Sequence, residues 1–322
     1  MRLCRVVLPD SSQVQVAYYE EQFVVPLARA MEEFARSSGQ WLSAPEGDGL
    51  LELLGPDGPW HSAADQVWQW LQTLPENRRQ RLAVPEEQVQ FQLPIPRPNK
   101  LFLLAGNYAA HVEEGGELAK ERRETFPYVF MKPPSTTLVP HRSRVPLPQG
   151  WEHGVDYELE LAVVIGRRGR RIPEQEALQY VAGYTVINDL SHRTFRPNPQ
   201  RVQRPKDAFF DWLHGKWFDG FCPCGPCVVA AAAVPDPQAL SMELRVNGQV
   251  RQQASTAQQI FPVAAVISFI SQMVTLEPGD LISTGTPAGV GHAQGLHLEP
   301  GDEIHARIDR IGTLQTTIAE PD

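Results

Sequence analysis

Residues 156–165 read DYELELAVVI, and acidic and apolar side chains alternate in this segment until its second half becomes wholly apolar. Side chains two positions apart point to the same face of a strand, so the segment predicts a strand with Asp156, Glu158 and Glu160 on one face. The apolar second half predicts that the strand continues into the core. Carboxylates at the mouth of a buried strand are costly without a compensating cation. The pattern therefore indicates either a site for a hard divalent cation or an acidic face in solvent.

Strand patterns dominate the chain on both sides of this segment, from residue 96 to the C-terminus. The predicted strands are 101–104, 157–165, 184–189, 227–231, 241–247, 280–284 and 303–308. One helical pattern, over residues 257–273, precedes the last two strands. We therefore predict a mixed α+β, β-rich fold, sandwich-like or barrel-like, whose catalytic domain covers residues 96–322.

Residues 1–95 have a different pattern. Two strand-like segments, RLCRVVL (2–8) and QVQVAYYE (13–20), are joined by a turn signal, and helical patterns follow over residues 27–38 and 63–74. The proline-rich segment 91–100, FQLPIPRPNK, is typical of a linker. We predict a small α+β N-terminal domain over residues 1–95, and no cluster of reactive groups indicates its role.

Charge and hydropathy exclude some classes of partner. The chain has 29 basic and 38 acidic residues and a net charge of −9, which argues against a nucleic acid or an anionic membrane as partner. The longest apolar segment, Val263–Val274, is interrupted by polar residues and is shorter than the ~18 residues that a membrane span requires. The N-terminal residues lack the pattern of a signal peptide, so we expect a cytoplasmic protein.

Three of the four cysteines lie close together. Cys222, Cys224 and Cys227 form the segment CPCGPC, and Cys4 lies near the N-terminus. A closed zinc site needs four ligands, usually in two separated pairs, so the segment favours buried, reduced, structural cysteines over a metal or redox role.

Other segments place polar groups where chemistry is feasible. Asp189 ends a predicted strand, where it is either a metal ligand or an ordinary turn residue. His111 and Glu114 are three positions apart and would meet on one face of a helix, as a general-base pair or as a surface pair. Residues 284–291, TGTPAGVG, lack the pattern of a nucleotide-binding loop. The amide of Gly285 and the hydroxyl of Thr286 either hold a substrate carboxylate or belong to a simple turn.

Seven segments together resemble the fumarylacetoacetate hydrolase family, in particular its acylpyruvate hydrolase and 2-hydroxyhepta-2,4-diene-1,7-dioate isomerase members. They are GNYAAH (106–111) followed by Glu114, FMKPP (130–134), YELELAVVIG (157–166), GYTVINDLSHR (183–193), GKWFDGFCPCGP (215–226), VNGQVRQ (246–252) and PGDLISTGTPAGVG (278–291). The resemblance implies a fumarylacetoacetase C-terminal-like β-roll catalytic domain and a homodimer. It also implies one Mg²⁺ or Mn²⁺ ion per subunit.

The resemblance also assigns roles to individual residues. Its metal ligands fall on Glu158, Glu160 and Asp189, which removes Asp156 from the ligand set. The catalytic residues are His111, Glu114 and Lys216. The substrate is held by Arg193 and by Thr286, with Gly285 beside it.

One motif departs from the family pattern. Where the family has S-A-R-D-x-Q, this chain has Ser191-His192-Arg193-Thr194-Phe195-Arg196. The usual glutamine commonly faces the substrate, so its replacement implies a different specificity. Arg196 would either bind a second carboxylate on a longer diacid or point to solvent.

The implied chemistry centres on a 2-oxo acid, whose carboxylate and keto oxygens would chelate the cation. The first hypothesis is hydrolysis of a C–C bond in a small β-diketo acid, such as an acylpyruvate, through a metal-stabilised enolate. Isomerisation, decarboxylation or hydration of an unsaturated 2-oxo diacid, and decarboxylation of oxaloacetate, are alternatives. A catalytically silent binding homologue is the alternative outside the enzymes.

Overall fold

The computed structural model describes residues 1–43, 47, 49–55, 57–150 and 152–321. The helices are α1 (Leu27–Ser38), α2 (Leu51–Leu54), α3 (His61–Thr73), α4 (Glu76–Leu82), α5 (Ala109–Glu114), α6 (Pro134–Thr137), α7 (Asp207–His214) and α8 (Val263–Met273). The strands of the N-terminal half are β1 (Arg2–Val7), β2 (Val14–Tyr19), β3 (Phe23–Pro26), β4 (Val84–Pro85), β5 (Gln90–Gln92), β6 (Leu101–Ala105), β7 (Tyr128–Met131), β8 (Leu138–Pro140), β9 (Ser143–Pro146) and β10 (Val155–Asp156). Those of the C-terminal half are β11 (Leu159–Ile165), β12 (Val181–Asn188), β13 (Ser191–His192), β14 (Cys222–Ala230), β15 (Ser241–Val246), β16 (Gln249–Ser255), β17 (Leu281–Ser283), β18 (Glu303–Ile308) and β19 (Gly312–Ala319).

A large mixed sheet forms the centre of the molecule. Its strand order is β4-β3-β2-β1-β14-β12-β11-β17-β6-β7, with β5 paired to β1 and β8 paired to β14. Every residue of β11, β12 and β14 is buried, which agrees with their largely apolar sequences. The mixed α+β, sheet-rich class is confirmed.

Layers cover both faces of this sheet, because alternate side chains of β11 enter two different cores. Leu161 and Val163 pack in the core that includes Leu244 and Ile304 of a second sheet, ordered β16-β15-β18-β19-β9. Ala162 and Val164 pack in the core that includes side chains of the helices α1 and α3.

The first strands belong to the large sheet. β1 pairs antiparallel with β14, with Arg2 opposite Val229, so the sheet continues from the N-terminal residues into the segment predicted to be catalytic. The division at residues 95 and 96 stays a prediction. The four cysteines are buried and free, as expected.

Some element boundaries differ from the sequence prediction. The strand expected from Tyr157 begins at Leu159, and Val155–Asp156 is a separate short strand paired with β13. The prediction that Asp156 shares one regular strand face with Glu160 was therefore wrong. The helix expected from residue 257 begins at Val263, because residues 256–258 form one 3₁₀ turn and Pro262 precedes the helix. None of the described helices is long and apolar enough to cross a membrane.

Candidate active site

The three predicted metal ligands lie together at one end of the β11–β12 ladder. Leu159 pairs with Asn188, so the residues just outside the ladder, Glu158 and Asp189, are neighbours, and the amide of Asp189 donates to the carbonyl of Glu158 at 2.8 Å. Glu160 belongs to β11 itself. One carboxylate oxygen from each residue lies within 4.8 Å of the others, and all three side chains are buried.

This carboxylate cluster fits a divalent cation. Glu160 Oε2 accepts hydrogen bonds from Ser283 Oγ at 2.6 Å and from the amide of Gly285 at 2.8 Å. Glu160 Oε1, although buried, has no hydrogen-bond partner among the described residues. Burial, together with the charges of Asp189 and Glu158, raises the pKa of Glu160 well above its ordinary value. Buried like charges with an unused oxygen suit a hard cation that accepts oxygen ligands.

Two buried lysines partly balance these charges. Lys216 Nζ donates to Asp189 Oδ2 at 2.5 Å and lies 3.1 Å from Glu158 Oε1. Burial acts to lower the pKa of Lys216, but Asp189 and Glu158 hold it above the ordinary value. Lys132 Nζ donates to Asp189 Oδ1 at 2.5 Å and to the carbonyls of Leu190 and Phe221. Lys132 was not among the predicted site residues, although it lies in the FMKPP segment that carries part of the resemblance.

Arg193 connects Asp156, the acid that is not a predicted ligand, to the carboxylate cluster. Its Nε donates to Asp156 Oδ2 at 3.0 Å, and its Nη2 lies 2.7 Å from Glu158 Oε1. Burial acts to raise the pKa of Glu158, but Arg193 and then Lys216 hold it below its ordinary value. Asp156 thus holds an arginine at the site.

The His111–Glu114 pair forms on α5. His111 Nδ1 and Glu114 Oε1 are 2.7 Å apart, and both side chains are about one-fifth exposed (18% and 19%). Burial acts to raise the pKa of Glu114, but the hydrogen bonds from His111 and from the amide of Gly289 lower it. An ionised carboxylate only accepts, so His111 Nδ1 donates, and Nε2 of the neutral ring is left as a proton acceptor.

The glycine-rich loop binds carboxylates of the protein itself. The amide of Gly285 donates to Glu160, that of Gly289 to Glu114 Oε2 at 2.8 Å, and that of Gly291 to Asp156 Oδ1 at 2.7 Å. The loop therefore connects a proposed metal ligand, the histidine's partner and the arginine's partner. The amide of Gly285 is engaged by Glu160, and a role for Gly285 in substrate binding stays a prediction.

A small cavity of about 40 Å³ lies between these groups. Its lining residues are Leu104, Ala105, Gly106, His111, Glu158, Arg193, Trp212, Lys216 and Thr286. His111, Lys216, Arg193 and Thr286, which were predicted separately, are thus brought to one space. That volume holds only a few water molecules, so side chains must move to admit a substrate.

Arg196 is not among the residues that line this cavity. Its Nη1 donates to the carbonyl of Phe195 at 2.9 Å and lies 3.4 Å from Asp211 Oδ2 on α7, and its side chain is 51% exposed. Arg201 pairs with the same Asp211 and with Asp207, one turn earlier. The position of Arg196 favours a role in fixing α7, and contact with a substrate stays a prediction.

The family model described as Fumarylacetoacetate (FAA) hydrolase C-terminal matches residues 100–319. The chain belongs to the fumarylacetoacetate hydrolase family. The match covers the second sheet, the strands of the large sheet from β6 onward, the cavity and every residue assigned to the site above.

Several proteins that are similar to this chain are named by their activities. The rat protein named oxaloacetate tautomerase Fahd2a, mitochondrial, is 37% identical over 233 residues, which cover 72% of this chain and 70% of the rat protein. The fumarylacetoacetate hydrolase of Exiguobacterium antarcticum has a TM-score of 0.73 at 27% identity and covers 99% of both chains. A maleylpyruvate hydrolase from Sphingobium sp. SYK-6, solved with manganese(II) and pyruvate, has a TM-score of 0.71 at 25% identity over the full length of both chains.

Proposed function

We propose that this protein catalyses proton transfer on a small 2-oxo acid, and that keto–enol interconversion of oxaloacetate is its reaction. The observation that carries the proposal is the shared cavity. His111, hydrogen-bonded to Glu114, faces the same space as Lys216 and Arg193. A proton acceptor thus shares one cavity with cationic groups that can bind carboxylate and keto oxygens.

The cationic groups supply the binding. A 2-oxo acid carries a carboxylate beside a keto oxygen, and charge-assisted hydrogen bonds from Lys216 and Arg193 suit both. A divalent cation held by Glu158, Glu160 and Asp189 would supply Lewis-acid polarisation of the keto group. Lys216 is buried, which strengthens its electrostatic interaction with the substrate.

His111 moves the proton. Its Nε2 takes the proton from C3 of the keto form, the electron pair of the C–H bond becomes the C2–C3 double bond, and the π pair of the C2 keto group moves onto its oxygen. The same proton equivalent is then delivered to the oxygen on C2, which gives the enol. Glu114 holds the imidazole ring and stabilises its protonated form through the 2.7 Å hydrogen bond.

Two observations favour tautomerisation of oxaloacetate over hydrolysis of a larger acylpyruvate. The cavity of about 40 Å³ favours a small substrate, because each further carbon requires more rearrangement of the lining. The rat relative, with which this chain shares 37% identity, is named an oxaloacetate tautomerase.

Hydrolysis of an acylpyruvate is the second candidate, and the His111–Glu114 pair favours it. The same Nε2 atom can deprotonate a water molecule that attacks the distal carbonyl, after which the C3–C4 bond breaks. The likeness to the maleylpyruvate hydrolase supports this alternative. Hydrolysis would, however, require additional space in the cavity for an acyl group and a water molecule.

The test follows the enol of oxaloacetate by ultraviolet absorbance with Mg²⁺ or Mn²⁺ present, while proton NMR detects pyruvate. We expect wild-type protein to accelerate loss of the enol without forming pyruvate, and His111→Ala to lower kcat roughly 10²- to 10⁴-fold. His305→Ala, which replaces an exposed histidine on β18, is the matched control. Pyruvate formed at the rate of enol loss would indicate decarboxylation instead, and turnover of acylpyruvates alone would favour hydrolysis.

The homodimer and the choice of Mg²⁺ or Mn²⁺ are further parts of this proposal. Light scattering coupled to size-exclusion chromatography measures the oligomeric state. Titration of metal-free protein with Mg²⁺ or Mn²⁺, followed by the melting temperature, measures which ion binds more tightly.

A further inference from the structure

Gln252 connects the second sheet to the catalytic strand. It lies on β16, and its side chain is buried against residues of β11 and of the glycine-rich loop. Its Oε1 accepts from the amide of Leu159 at 2.9 Å, and its Nε2 donates to the carbonyl of Pro287 at 2.8 Å. A third bond, also of 2.8 Å, joins Nε2 to Thr286 Oγ1.

The two backbone partners fix the orientation of the Gln252 amide. A backbone amide only donates and a backbone carbonyl only accepts, so Oε1 must face Leu159 and the NH₂ group must face Pro287. Reversal of the side-chain amide would break both bonds. The bond to Thr286 therefore has one direction, with Gln252 as donor and the hydroxyl oxygen as acceptor.

This direction leaves the hydroxyl hydrogen of Thr286 for another partner. Within the part of the chain that the structure describes, no group accepts a hydrogen bond from Thr286 Oγ1. Thr286 is buried and lines the cavity that contains His111 and Lys216. A buried donor without a protein partner is costly, so a cavity ligand or water is the acceptor that remains.

A neighbouring pair shows the opposite arrangement. Gln259 Nε2 donates to Thr284 Oγ1 at 2.8 Å, as Gln252 does to Thr286. The hydroxyl of Thr284, however, donates to the carbonyl of Leu161 at 2.8 Å. Thr284 does not line the cavity, and its hydrogen has an acceptor within the protein.

We propose that Gln252 is a positioning residue that makes the Thr286 hydroxyl a hydrogen-bond donor to an anionic oxygen of the bound ligand. If the proposed function holds, that oxygen belongs to the carboxylate of the 2-oxo acid. Gln252 acts through Thr286 and does not touch the ligand. It also completes the hydrogen bonding of β11 between Glu158 and Glu160, through the amide of Leu159.

The test compares Thr286→Val in two backgrounds by calorimetric titration of the Mg²⁺-loaded protein with oxalate. In the wild-type background, loss of a donor to a charged group weakens binding roughly ten- to hundredfold. In the Gln252→Glu background, the ionised carboxylate loses the bond to the carbonyl of Pro287 but accepts the hydroxyl hydrogen of Thr286, so Thr286→Val costs less than about twofold. The added negative charge is present both with and without Thr286→Val. Its direct effect on the affinity for oxalate therefore cancels in the ratio of the two dissociation constants.

Gln259→Glu is the matched control, because it places the same carboxylate beside Thr284. In that background, Thr286→Val must keep its full effect. An equal effect of Thr286→Val in the wild-type and Gln252→Glu backgrounds would overturn the proposal. Wild-type protein that binds oxalate but leaves oxaloacetate unchanged would remove the proposed function and leave this inference standing.

A neutron structure of the wild-type protein gives a readout that needs neither turnover nor a folded variant. We expect the deuterium on Thr286 Oγ1 to point into the cavity and both deuteriums of Gln252 to lie on the side of Pro287 and Thr286. A hydroxyl deuterium directed at Gln252 would refute the proposal.

Discussion

Lys216 Nζ lies 2.5 Å from Asp189 Oδ2, so a carboxylate proposed as a metal ligand already faces a buried cation. Lys132 faces the other oxygen of the same carboxylate at 2.5 Å. Glu160 differs, because its nearest donors are the hydroxyl of Ser283 and the amide of Gly285, which carry no charge. The like charges of the cluster are therefore least compensated at Glu160, and a divalent cation should gain most there.

Glu160→Gln is expected to separate folding from metal binding. Burial and the neighbouring acids raise the pKa of Glu160 in the folded protein above its pKa in the unfolded chain. Ionisation of Glu160 therefore lowers the free energy of unfolding as the pH rises above the unfolded pKa. The variant should therefore be at least as stable as wild type in a chelator at neutral pH. Added Mg²⁺ should stabilise wild type by about 2.7 kcal/mol at one hundred times its Kd and the variant far less. Melting temperatures with chelator and with Mg²⁺ measure both effects.

Glu303→Gln is the control for this comparison, because Glu303 is exposed on β18. It should keep the full response to Mg²⁺. A Glu160→Gln protein that responds to Mg²⁺ as wild type does would contradict the assignment of Glu160 as a ligand.

Lys132→Met is expected to destabilise the fold. The ammonium group of Lys132 is fully buried and bonds to Asp189 and to two backbone carbonyls. Its removal leaves Asp189 Oδ1 and two buried carbonyls without this donor, although Lys216 still bonds to Oδ2, and costs roughly 3–5 kcal/mol. Urea denaturation measures the free energy of unfolding, and Lys120→Met, at an exposed position, should change it by less than about 0.5 kcal/mol.

Arg196→Gln restores the residue type usual in the family and should leave the KM for oxaloacetate within about twofold of wild type, because the side chain of Arg196 is half exposed and does not line the cavity. Arg193→Lys should raise KM or lower kcat at least tenfold by order of magnitude, because lysine cannot keep the paired geometry toward Asp156 and Glu158. Steady-state kinetics with oxaloacetate measure KM and kcat of both variants and test both predictions. A large KM effect of Arg196→Gln would show that Arg196 reaches the substrate.

Local patterns predicted the parts of the fold that depend on local physics. α1 has the predicted bounds, Leu27–Ser38, because its apolar side chains recur at helical spacing and Gly39 ends it in a left-handed conformation. The pairing of β1 with β14 could not be foreseen, because strand register between distant segments leaves no local signal. The N-terminal residues therefore looked like a separate appendage.

The candidate site divides in the same way. Alternation identified Glu158 and Glu160, but it also included Asp156, because it could not detect that Asp156 belongs to a separate short strand paired with β13. Asp189 entered through the family resemblance, since its position depends on the β11–β12 register. Lys132 and Gln252 were missed, because their partners lie 57 and 93 residues away along the chain.

The Glu114 carboxylate should give the fold a pH-dependent contribution. Its pKa in the folded protein lies below the ordinary value of 4.5, because the hydrogen bonds from His111 and from the amide of Gly289 outweigh burial. A lowered carboxyl pKa contributes stability that is present above the unfolded pKa and is lost as the pH falls through the folded pKa. The difference in melting temperature between wild type and Glu114→Gln should therefore stay constant above about pH 5.5 and shrink below about pH 4.5. Glu113→Gln, at the exposed neighbouring position, should show no such dependence. A difference that grows as the pH falls would mean that Glu114 is protonated in the fold, and His111 would then lack the ionised partner that makes Nε2 the proton acceptor.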